Sequence, residues 1–157
     1  VNILLIEDDE DKLKKLDEFI TTEFPSSHIQ FAKSFNSGLK TLVAKKNSLD
    51  IVLLDMSMPT YDISQNEPSG GEPENYAGKE LLAQMRLRSI NLPTIVVTMF
   101  DSFGEPPMQI SLDRLIADLK ARYSPPFKGY VYYNSTQEGW KNALKQLIDE
   151  NYPERKI

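Results

Sequence analysis

Short apolar runs separated by amphipathic stretches constrain this chain more than any other feature. Runs rich in Val, Ile and Leu occur at 3–6, 51–54 and 94–97, a Tyr/Val run at 130–133, and a weaker run around 29–32. The first three are apolar at consecutive rather than alternate positions, the pattern of strands covered on both faces, as in a parallel sheet. Parallel neighbours need a crossover, so a helix is expected between each pair.

The intervening segments supply those helices. Leu13, Leu16, Ile20 and Phe24 recur at spacings of three and four, with Asp9 placed to cap them and Pro25 to stop them. Phe35, Leu39, Leu42 and Val43 follow a cap at Ser34 or Asn36, and Leu81, Leu82, Met85 and Ile90 give a third helix starting near Gly78. Met108, Leu112, Leu115, Ile116 and Leu119 predict a fourth, elongated helix bracketed by Pro106 and Pro107 before it and Pro125 and Pro126 after it. Trp140, Ala143, Leu144, Leu147 and Ile148 share one face of a fifth, and Ser135 with Glu138 has capping-box spacing. Trp140 at that spacing is expected in the core.

Strand and helix thus alternate five times. With right-handed crossovers this predicts an α/β fold: a five-stranded parallel sheet, doubly wound, flavodoxin-like, (βα)5. The segment 58–77 has almost no apolar periodicity and reads as a long loop after the third strand; smaller insertions at 100–107 and 123–129 extend the region around the fourth helix. One domain over 1–151 with a short tail at 152–157 is expected, any effector domain being on another chain or left out.

Composition narrows the function. The 18 Lys and Arg against 23 Asp and Glu give a net charge of −5, which disfavours direct attraction to nucleic acid or an anionic membrane. No apolar run approaches the roughly 20 residues that cross a bilayer, and no leader is visible, so a soluble chain is expected. The sequence has no Cys, which excludes disulfides, thiolate metal sites and a thiol nucleophile, and a cytoplasmic location is the default expectation.

In a doubly wound sheet, ligands bind beyond the carboxyl ends of the strands. There stand Glu7, Asp8 and Asp9 after the first strand and Asp55 after the third. If those strands are neighbours, Glu7, Asp8 and Asp55 converge, and such a carboxylate cluster is tolerable around a hard divalent cation such as Mg²⁺. Taken singly, Asp8 or Asp9 could instead cap the first helix, and Asp55 a turn.

The run Ile3, Leu4, Leu5, Ile6, Glu7, Asp8, Asp9, then Val52, Leu53, Leu54, Asp55, Met56, Ser57, Met58, Pro59, then Thr94 to Thr98, and finally Gly129, Tyr130, Val131 resembles the receiver domain of two-component response regulators. The resemblance implies a phosphorelay module rather than an enzyme: Asp55 would accept a phosphoryl group from the phosphohistidine of a histidine kinase or phosphotransfer protein. It also implies that Glu7, Asp8, Asp55 and the main-chain carbonyl of Ser57 hold Mg²⁺, that Thr98 contacts the phosphoryl group, that Tyr130 is the switching aromatic, and that a downstream protein effector reads the change. The family has a Lys three residues after that aromatic and then Pro; here those places are Tyr133 and Asn134. Without that cation the acids, Mg²⁺ and an aspartyl phosphate sum to about −2, so the phosphorylated form is expected to be less well stabilised.

Among possible substitutes, Lys79 is the nearest candidate, while Lys128 is expected at the wrong end of its strand. Lys12, Lys14 and Lys15 alternate with Asp11, Asp17 and Glu18 and read as a solvated helix face. His28 is expected to be structural or solvated, just before the second strand. Two rivals follow: a degenerate receiver that serves as a phosphorylation-independent interaction module, which the missing Lys favours, and a Mg²⁺-dependent phosphohydrolase of the haloacid dehalogenase type, which Ser57 disfavours because that chemistry needs a second Asp there.

Overall fold

Each of the expected strands forms in the computed structural model, which describes residues 1–61, 73–74, 76–99, 102–103 and 109–152. The elements run β1 (Asn2–Ile6), α1 (Glu10–Glu23), β2 (His28–Ala32), α2 (Phe35–Lys45), β3 (Ile51–Leu54), β4 (Met58–Pro59), β5 (Pro73–Glu74), α3 (Ala77–Leu87), β6 (Thr94–Thr98), β7 (Ser102–Phe103), β8 (Ile110–Ser111), α4 (Leu112–Arg122), β9 (Phe127–Tyr132) and α5 (Gly139–Asn151). The five longer strands form one parallel sheet in the order β2-β1-β3-β6-β9. The two-residue strands pair as small antiparallel ladders, β4 with β5 and β7 with β8, inside the two long connections.

Alternate residues of the central strands feed two cores. Leu4, Ile6, Val52, Leu54 and Val96 pack with Leu81, Met85, Leu115 and Leu119 on the α2–α3–α4 side. Ile3, Leu5, Ile51, Leu53, Ile95 and Val97 pack with Leu16, Ile20, Leu144 and Ile148 on the α1–α5 side, where Trp140 also lies, edge-on to Phe19 at 5.4 Å between ring centroids. Burial on both faces is why these strands read as continuous apolar runs.

The first two helices start at the expected residues. The Asp9 side chain accepts from the Lys12 backbone N–H, and Ser34 and Ser37 form a reciprocal capping box. Several sequence expectations need correction. Ser135 and Glu138 do not form a capping box: α5 starts at Gly139, and Glu138 precedes it without a side-chain cap. The turn there is organised by Asn134, whose side-chain oxygen accepts from the Thr136 backbone N–H at 3.0 Å. β9 begins at Phe127, three residues before the apolar run, and ends before Tyr133, so Lys128 lies within the strand. Its alternating burial is that of an edge strand with one open face. His28 opens β2, the other edge, and is exposed. Helix α4 has 11 residues, as many as α2 and α3, and starts at Leu112 rather than at Met108; Met108, Pro106 and Pro107 fall outside the described residues. Among the described residues no helix is long and apolar enough to cross a membrane.

Candidate functional site

The pairing of β1 with β3 in parallel register, Ile6 opposite Leu54, sets Glu7 and Asp55 side by side one residue past the strand ends. Both are pinned by main chain: the Glu7 N–H donates to the Ala32 carbonyl at 2.9 Å and the Asp55 N–H to the Ile6 carbonyl at 3.2 Å. Carboxylate oxygens of Glu7, Asp8 and Asp55 lie within 4.8 Å of one another. Glu7 and Asp55 are buried at 1% and 3% exposure, while Asp8 is exposed, so the cluster has a deep floor and one acid at its mouth. The Asp55 side chain also accepts from the Met56 N–H at 2.7 Å. Behind it, the first turn of α3 packs directly on the Asp55 backbone at Gly78. A Cβ on Gly78 would stand 2.5 Å from the Asp55 carbonyl oxygen, so only glycine permits this approach.

Burial pushes the Glu7 carboxyl up to about 8, with the Asp55 charge adding to the rise and Lys12 opposing it. Burial and then Asp55 also raise Asp8. A deep carboxyl raised in this way, Glu7, beside a raised Asp8 at the mouth marks a site that favours an added positive charge.

One such charge is already present. Lys12, in the first turn of α1, is 1% exposed, and its ammonium lies 2.5 Å from Glu7 Oε1 and 3.3 Å from Asp55 Oδ2. Its third contact is the Val97 carbonyl, to which it donates at 2.7 Å. The expectation that Lys12 belongs to a solvated face is therefore wrong, although Lys14 and Lys15 are exposed as expected. Lys79 is not a substitute either: it pairs with Asp118 of α4 at 2.8 Å. Lys128 is exposed on β9.

Comparison with known proteins places the chain in a family. No family model matches the chain. The Detocs response regulatory protein DtcB of Enterobacter cloacae is 34% identical over 150 residues, covering 96% of this chain and 99% of that protein. The chain belongs to the response-regulator receiver family. This receiver is also 35% identical over 142 residues, 90% of its length and 93% of the relative's, to the uncharacterized protein y4jR of Sinorhizobium fredii. Among solved structures its fold is similar to that of the CheX-CheY-BeF3-Mg²⁺ complex from Borrelia burgdorferi, with a TM-score of 0.66 at 17% identity over 95% of this chain and 87% of that one.

The other residues singled out in the sequence lie after β3 and on β6 and β9. Ser57 is half-buried in the connection just after Asp55. Thr98 ends β6 fully buried, and its carbonyl accepts from the Tyr133 N–H at 2.8 Å. Tyr130 pairs with Val96 and Tyr132 with Thr98, and both rings, at 38% and 45% exposure, lie on the face of β9 opposite buried Val131. Tyr133 turns the other way into the α1–α5 core, 3% exposed, with its ring centroid 5.8 Å from the Lys12 ammonium. Its hydroxyl is buried without a hydrogen-bond partner among the described residues. Lys12 is the residue that sequence reasoning missed. The available signal was its position: a Lys at the third residue of a capped helix, where a capping box calls for Glu or Gln and the helix dipole disfavours a cation.

Proposed function

We propose that this receiver accepts a phosphoryl group on Asp55 from the phosphohistidine of a histidine kinase or phosphotransfer protein, with Mg²⁺, and passes the signal on through contacts with a downstream protein. The convergence of Glu7, Asp8 and Asp55 within 4.8 Å carries the reading. Three hard oxygen donors, two of them buried, fit Mg²⁺, and one fold neighbour is the CheX-CheY-BeF3-Mg²⁺ complex. Glu7, Asp8, Asp55 and the Ser57 carbonyl would hold the ion, which when bound neutralises the oxygens of the transferring group.

The remaining work belongs to the chain. Asp55 is held by its main-chain bond to Ile6 and by the Met56 N–H, leaving a carboxylate oxygen to attack phosphorus. A phosphorus–oxygen bond forms as the donor's phosphorus–nitrogen bond breaks, and the electron pair returns to the donor imidazole. Thr98, one rung beyond the level of Asp55 on the neighbouring strand, would follow the new oxygens. Tyr130, partly exposed on the same face as Thr98, would turn inward and alter the surface that a partner meets.

The test is intact-mass or Phos-tag analysis after incubation with acetyl phosphate and Mg²⁺. Wild type should gain one phosphoryl group and Asp55→Asn none. Wild type that binds Mg²⁺ yet gains no phosphate would defeat the reading. A second reading, a phosphorylation-independent interaction module, is favoured by the Lys12 ammonium, which already compensates Glu7 and Asp55. It predicts that Asp55→Asn leaves partner binding unchanged.

A further inference from the structure

We propose that Lys12 is the cation of the phosphorylation site in this chain, holding Asp55 in place before transfer and pairing with the phosphoryl oxygens after it, from α1 rather than from the loop after the last strand. This rests on Asp55 being the phosphoryl acceptor. The position where the family carries its Lys holds Tyr133, which points into the α1–α5 core and lies over the Lys12 ammonium instead of reaching the acids itself. Lys12 fills the missing role from another direction.

Three observations set Lys12 apart from an incidental ion pair. Full burial of an ammonium is costly unless every donor is used, and the three contacts, Glu7, Asp55 and the Val97 carbonyl, match its three N–H groups. The chain places this cation at the positive end of a helix, where the dipole opposes it, so the compensation must come from the acids. Its carbonyl partner, Val97, immediately precedes Thr98, so the ammonium is anchored between the acceptor strand and the strand that carries the phosphoryl-contacting hydroxyl. The ammonium reaches Asp55 through Oδ2, whereas the Met56 N–H holds Oδ1.

The charges give the role a signature. Glu7, Asp8, Asp55, Lys12 and Mg²⁺ sum to about 0, and phosphorylated Asp55 brings the sum to about −1 rather than the −2 expected without a cation. Lys12 therefore repels Mg²⁺ in the unphosphorylated site and attracts the phosphoryl group in the phosphorylated one. A Lys12 that served only as a structural ion pair would still repel Mg²⁺ but would not strengthen binding of the phosphoryl group.

The experiment titrates the full chain with Mg²⁺ alone, and with beryllofluoride at saturating Mg²⁺, following Trp140 fluorescence and ¹⁹F NMR, for wild type, Lys12→Gln, Lys12→Arg and Lys12→Gln/Tyr133→Lys. Near-UV circular dichroism verifies folding. Lys12→Gln should bind Mg²⁺ about threefold or more tighter and beryllofluoride about tenfold or more weaker. Lys12→Arg should retain part of the beryllofluoride affinity, and Tyr133→Lys should restore part of it in the Lys12→Gln background. Beryllofluoride binding unchanged in Lys12→Gln, or Mg²⁺ and beryllofluoride weakened together, overturns the assignment of Lys12 and leaves Asp55 as the acceptor. Wild type that takes up Mg²⁺ but no beryllofluoride overturns both.

Discussion

Two residues decide how the acids of this receiver are held. Gly78 lets the start of α3 rest on the Asp55 backbone, and the missing Cβ is what makes the contact possible. Gly78→Ala should cost roughly 1–3 kcal/mol, the range for forcing atoms into a packed site, and should displace the Asp55 carbonyl. Urea unfolding measures the first effect and weakened Mg²⁺ binding the second. Unchanged stability would mean that α3 yields freely. Glu7 gives a pH signature. Its carboxyl is raised from the ordinary 4.5 to about 8, chiefly by burial, so without metal the folded chain holds that proton more tightly than the unfolded chain does. The associated stability is full below the unfolded value and is lost as pH rises through the folded one. Unfolding midpoints in chelator should therefore fall between pH 4.5 and 8 on account of Glu7, and Glu7→Gln should flatten that slope. A slope unchanged in the variant would show that Lys12 keeps Glu7 ionised throughout.

At the level of elements, α2 and α5 differ in how they are capped. The capping box of Ser34 and Ser37 satisfies backbone donors at the start of α2 reciprocally, so Ser34→Ala should cost about 1 kcal/mol in urea unfolding. Helix α5 starts without a side-chain cap, and a methyl group on Gly139 would meet nothing within 4 Å. Gly139→Ala should raise the unfolding midpoint, by roughly 0.4–1 kcal/mol in stability, because the unfolded chain loses freedom while the fold loses no contact. A lowered midpoint would place Gly139 in a conformation that alanine resists. Sequence spacing located α1 and α2 well because their caps and apolar stripes agree, and α3, which has no side-chain cap, from its stripe alone. It misjudged the start of α5, where Ser135 and Glu138 had capping-box spacing but Asn134 holds the turn.

Across the whole molecule, the sheet order joins acids from β1 and β3 into one cluster, so Mg²⁺ bound there would be coupled to folding. Mg²⁺ at about 100 times its dissociation constant should add about 2.7 kcal/mol to stability by mass action. Asp8→Asn should remove most of that gain without lowering stability in chelator, since Asp8 is exposed at the mouth of the cluster. Differential scanning fluorimetry with and without Mg²⁺ checks both, and an equal Mg²⁺ shift in the variant would take Asp8 out of the ligand set.

The sequence by itself determined the alternating architecture, because strands buried on both faces must be apolar throughout and helices packed on them must show a stripe. It also put Glu7, Asp8 and Asp55 at the carboxyl ends of β1 and β3, and the sheet order that makes those strands neighbours brought the three together. The edge strands were less legible: β9 alternates and admits Gly129 and Lys128, so its start was hidden. Only the tertiary structure decided the fate of Lys12. Its place in the first turn is the one local feature that sets it apart from Lys14 and Lys15, and its burial follows from the rotation of α1 on the sheet, which aims one of three neighbouring cations at acids and a carbonyl supplied by three different strands. Electrostatic partners distant along the chain leave no periodicity for a sequence to show.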